Sequence, residues 1–130
     1  MFKFLFKLKP IRKKRSPIQG SANYLKLKEA ARAIVRERLE HFNRHYGFTY
    51  GRISIKNQKS RWGSCSGKGN LNFNYRIALL PVRLQDYLIV HELCHLGQMN
   101  HSRKFWDLVA ETIPEWRDCD RELKSIRMTR

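Results

Sequence analysis

DYLIVHELCHLGQMNHSRKFW, residues 86 to 106, decides how this chain is read. Its first half is an almost unbroken run of Leu, Ile and Val around two histidines. Pro81 opens the segment where a missing N–H is harmless, so a largely buried helix is expected, with Asp86 in its early turns. Within it, His91-Glu92-Leu93-Cys94-His95 fits the pattern H-E-x-x-H. Two histidines four apart share one helical face and can both reach one ion, while Glu92 projects beside the pair and contacts a metal-bound water without being a ligand. His101 follows His95 by six residues, just before Ser102, and a turn after Gly97 is expected to bring its ring back to the ion.

Three imidazoles leave a fourth position for water, and this separates catalytic from structural zinc, which normally closes with four protein ligands. Cys94 is the competing ligand. On a helix it sits about 60° from His91 and about 100° from His95, so packing in the core is expected of it. The residues point to one zinc ion per chain, held by His91, His95 and His101, and to hydrolysis through a metal-activated water with Glu92 as general base. His41 and His45 are also four apart, but Phe42 follows the first and no third histidine lies near in sequence. They are expected to be imidazoles at a helix C-terminus, where the dipole favours positive charge, and not ligands.

Outward from this core, Ala31, Val35, Leu39, Phe42 and Tyr46 recur every three or four residues, and Gly47 stands at the stop, which predicts a long helix over 23–46. Arg52 to Asn57 and Leu71 to Leu79 alternate in polarity and predict two strands joined by a glycine-containing loop. Leu71 to Leu79 is open to either role, an edge that pairs with an extended substrate or an interior strand. Ser102 is a candidate cap for a helix running towards Pro114. Trp116, Cys119, Leu123 and Ile126 predict a closing helix. Helix, strands, helix, helix is an α+β arrangement with no internal repeat.

The 130 residues suit one domain, divided as a basic segment 1–20 and a folded unit 21–130. Phe2, Phe4, Phe6 and Leu8 alternate with basic residues as in a short edge strand, and Arg12, Lys13, Lys14 and Arg15 lead into a linker around Pro17 and Gly20. Lysines interrupt this stretch too often for a signal peptide, and no apolar run is long enough to span a membrane. Three scattered cysteines suit a reducing cytoplasm. The net charge of +16 attracts nucleic acid or another anionic surface without naming which.

KSRWGSCS at 59 to 66, LNFNYRIALLP at 71 to 81 and the histidine segment together resemble the YgjP-like metallopeptidases. The resemblance covers roughly residues 50 to 110. It implies a zincin-type fold with a long N-terminal helix, a small sheet, the H-E-x-x-H helix and C-terminal helices. It also implies a peptide or protein substrate, His91, His95 and His101 as zinc ligands, and Glu92 as the catalytic residue. The spacing from His91 to His101 also equals that of metzincins, but Gly97 falls two residues after His95 where their glycine falls three after, and no Met-turn follows.

Arg61 is a candidate for gripping substrate, or else a packed neighbour of Trp62. Cys65 is expected to be a buried thiol. Tyr87, four before His91, is placed to support the site from behind. Two alternatives use the charge: a nucleic-acid-binding module with structural zinc, which leaves Glu92 unexplained, or a protease recruited to nucleic acid as SprT-like proteases are.

Overall fold

The computed structural model describes Lys3–Lys7 and residues 22–126. Strand β1 (Lys3–Lys7) precedes helix α1 (Ala22–Tyr46), followed by strands β2 (Ile53–Lys56), β3 (Arg61–Ser66) and β4 (Leu71–Asn74). A 3-10 turn (Tyr75–Leu79) leads into helices α2 (Val82–Cys94), α3 (Arg103–Ala110) and α4 (Trp116–Ser125). The fold is α+β, as the sequence predicts. The expected linker at Arg12 to Gly20 lies outside the described residues. Among the described residues no helix is long and apolar enough to cross a membrane.

Helix α1 buries Ala31, Val35, Leu39 and Phe42, the stripe its period predicts. Gly47 ends it with φ of 68°, a left-handed conformation that only glycine adopts without a steric cost. Its side facing α2 is pinned by Arg38, which donates to both oxygens of Asp86 at 2.8 and 3.1 Å. Helix α2 has no polar face: ten of its thirteen residues, Leu84, Gln85 and Tyr87 through Cys94, are buried. Each fully buried Leu, Ile or Val there contributes about 1.5–3 kcal/mol of transfer free energy. The helix is thus fixed on all sides, which suits an element that carries a site.

The sheet corrects two expectations. Its order is β1-β3-β4-β2, so Arg61–Ser66, expected as part of the glycine-containing loop, is an interior strand. It forms because β1 and β4 pair antiparallel with its two sides, a long-range effect that outweighs weak strand preference. The expected strand from Leu71 to Leu79 ends at Asn74. There the Asn74 side-chain oxygen accepts from the Arg76 N–H at 2.9 Å and turns the chain into the 3-10 segment. Strand β4 lies between β3 and β2, and pairs parallel with β2, so it offers no free edge to a substrate.

Candidate metal centre

His91, Glu92 and His95 come from the C-terminal end of α2 and are 2%, 0% and 0% exposed. His101 returns from the turn between α2 and α3 and is exposed. The turn closes because Gly97 lacks a side chain: a Cβ there would meet the Phe48 ring at 2.6 and 2.9 Å. Gly97 has no positive φ, so close approach, and not the conformational freedom expected from the sequence, is its reason for being glycine. Ser102 then starts α3 by accepting from the Phe105 N–H at 3.4 Å.

The three Nε2 atoms converge. His95 Nε2 lies 3.0 Å from His101 Nε2, which lies 3.2 Å from His91 Nε2. Tetrahedral zinc with Zn–N bonds of about 2.0–2.1 Å sets its nitrogens about 3.3 Å apart, close to these separations. His95 Nδ1 is 3.1 Å from the Gln98 carbonyl, which can only accept, so the ring proton sits on Nδ1 and the Nε2 lone pair faces the other imidazoles. Burial pushes His91 well below the ordinary imidazole value, reinforced by His95 and His101. It also pushes His95 down to about 4 and lowers His101. Each shift favours the neutral imidazole, the form that metal binding requires.

Glu92 stands outside this cluster. Its Oε2 faces His91 Nδ1 at 3.1 Å, while Oε1 is buried without a hydrogen-bond partner. Burial raises its carboxyl well above the usual range. A buried, unsatisfied oxygen beside three convergent lone pairs fits a bound cation and its water, which would supply the missing charge and donor. Strand β3 makes room for this carboxyl: a Cβ on Gly63 would lie 3.3 Å from Glu92 Cγ and Oε2 and 3.0 Å from the Asn72 carbonyl oxygen.

Tyr87, the candidate support four residues before His91, lies buried on α2. Its ring lies 5.9 Å from that of His91, and its hydroxyl donates to Asp120 Oδ1 at 3.0 Å. Asp120, on α4, also pairs with Lys124 at 2.9 Å; sequence reasoning missed it because nothing local marks one acidic residue of a surface helix as special. Phe105 and Trp106 were missed as site residues too. Phe105 stacks on His95 at 4.3 Å, and Trp106 on His101 at 5.7 Å and on Trp116 at 4.0 Å. Their signal was the Ser102 cap, which fixes where both fall on α3.

Arg61 is not brought to the imidazoles: among the described residues no hydrogen bond, ion pair or ring contact joins them, and its Nε is buried without a partner. Cys94 is fully buried and outside the cluster, and Cys65 is a buried free thiol, as the sequence predicts. His45 pairs with Glu111 at 2.9 Å and His41 lies edge-on to Phe42, and neither is in the three-histidine cluster.

The profile of the YgjP-like metallopeptidase domain matches residues 9–126. No curated protein matches the chain. Among solved structures, the metallopeptidase zymogen abylysin of Pyrococcus abyssi is similar with TM-score 0.62 at 23% identity, over 74% of this chain and 99% of that one. Jannalysin of Methanocaldococcus jannaschii, also a metallopeptidase zymogen, gives 0.56 at 25% identity over 72% and 92%. With a family profile spanning nearly the whole chain and a fold shared with two metallopeptidases, the chain belongs to the YgjP-like metallopeptidase domain family and is a metal-dependent hydrolase.

Proposed function

We propose that this chain is a zinc peptidase in which His91, His95 and His101 hold the metal and Glu92 is the general base. The observation that carries this reading is the convergence of three imidazole Nε2 atoms beside a buried carboxyl with one unsatisfied oxygen. A zinc ion held by these nitrogens supplies Lewis acidity and lowers the pKa of a water. Glu92 accepts that water's proton on its carboxylate and returns it to the leaving amine. Its raised affinity for protons, caused by burial, suits both steps. Tyr87, held by Asp120, keeps the His91 ring from turning, and the Phe105 ring does the same for His95.

Three buried free cysteines suit a reducing cytoplasm. Residues 1–20 are a basic segment whose strand β1 joins the sheet of the unit 21–130 that carries the site. Arg61, in its crevice on β3, serves packing more than substrate.

The test is zinc per chain and peptide hydrolysis for the natural sequence and Glu92→Gln. One zinc in both, with turnover lowered about 10²–10⁴-fold by the substitution, is expected of a general base. Full turnover in zinc-loaded Glu92→Gln, or no zinc uptake by the natural chain, would remove the proposal.

A further inference from the structure

Beside the metal centre, α3 and α4 enclose a hollow of about 490 Å³ lined by Arg103, Trp106, Asp107, Ala110, Trp116 and Arg117. Trp106 is common to both: a molecule in the hollow lies one indole away from the His101 ring. The charges in the hollow do not balance. Arg103 faces Asp107 at 4.0 Å with side chains 94% and 72% exposed, a pair that contributes little. The Arg117 guanidinium lies over Trp116, 4.9 Å from the ring centroid, and no carboxylate pairs with it among the described residues.

We propose that this hollow is a side-chain subsite for a glutamate or aspartate of a peptide substrate, an inference that rests on the peptidase reading above. The carboxylate sits on Arg117, and the methylene stem lies along Ala110 and the edges of the two stacked indoles, Trp106 and Trp116. With no carboxylate of its own among the described residues, the guanidinium over Trp116 keeps its N–H fork for a ligand, and a carboxylate matches that fork in two parallel hydrogen bonds. The Trp116 ring covers one face of the guanidinium and keeps water off that side of the pair. A stacked nucleobase fits less well, because Trp106 already carries His101 and Trp116 against it at interplanar angles of 18° and 13°.

The experiment uses two pentapeptides that differ only in a central Glu or Gln. Binding is followed by indole emission with zinc-loaded Glu92→Gln, and KM and kcat are measured with the zinc-loaded natural chain. The Glu peptide is expected to bind about fivefold tighter, the size of a partly exposed ion pair, with KM lowered and kcat unchanged. Arg117→Gln erases the preference and Arg117→Lys keeps part of it. Since Arg117 is exposed, neither substitution threatens the fold. Equal affinity for the two peptides, or a preference that survives Arg117→Gln, overturns the proposal. A single-stranded oligonucleotide that displaces the Glu peptide at lower concentration than free Glu peptide does also overturns it, in favour of a nucleic-acid surface. Hydrolysis of neither peptide with the binding preference intact counts against the peptidase reading and for the carboxylate site.

Discussion

Replacing Gly63 by alanine places a methyl group 3.0 Å from the Asn72 carbonyl oxygen and 3.3 Å from Cγ and Oε2 of Glu92. Ordinary contact begins near 3.4 Å, so something must retreat by a few tenths of an ångström. The Asn72 carbonyl belongs to β4, paired on both sides, and yields little. The Glu92 side chain has one oxygen held only by His91 and the other by nothing, so most of the shift falls on it. Overpacking of this kind costs about 1–3 kcal/mol, which lowers Tm by roughly 3–10 °C in a chain of this size. A displacement of 1 Å near the reacting atoms can cost about 10²-fold in rate, so a shift of about half that is expected to slow turnover about tenfold. The metal should stay, since the atoms nearest the added methyl group belong to Asn72 and Glu92 and not to a ligand imidazole.

The assays are zinc per chain, a melting curve and steady-state hydrolysis for Gly63→Ala, Glu92→Gln and the double variant. If Gly63 acts through Glu92, the double variant turns over no more slowly than Glu92→Gln alone. Full turnover with a lowered Tm would show that Gly63 serves strand packing only. Loss of zinc in Gly63→Ala would refute the route through Glu92.

Three further outcomes are expected. Tyr87→Phe leaves Asp120 Oδ1 without its donor and should lower stability by about 1 kcal/mol with zinc retained; loss of zinc would place Tyr87 nearer the metal than its hydrogen bond indicates. Trp106→Ala removes the ring stacked on His101 and should weaken zinc about tenfold in competition with a chromogenic chelator; unchanged affinity would limit Trp106 to the neighbouring hollow. Burial pushes the Cys65 and Cys94 thiols from 9.0 up to about 12, so a thiol reagent at pH 8 should miss both until denaturant is added. Between pH 9 and about 12 the unfolded thiols have released protons that the folded ones keep, so stability falls as pH rises through that window.

What could be read in the sequence was local. Four-residue spacing put His91 and His95 on one face, a three-to-four-residue apolar period and Gly47 bounded α1, and Ser102 began α3, because helix geometry and caps depend on neighbours within one turn. Three linked motifs sufficed for the family. Tertiary structure decided what depends on distant partners. Arg61–Ser66 became a strand only because β1 and β4 pair with it, and Leu71–Leu79 was cut at Asn74 by a cap that competes with the ladder. His101 reached His95 because Gly97 lets the turn pack on Phe48, contributed by the segment after α1. Asp120 joined the site from α4 through Tyr87. Periodicity fixes which face a side chain occupies on its own element; which other face it meets is set by packing the whole core, and no window of sequence contains that.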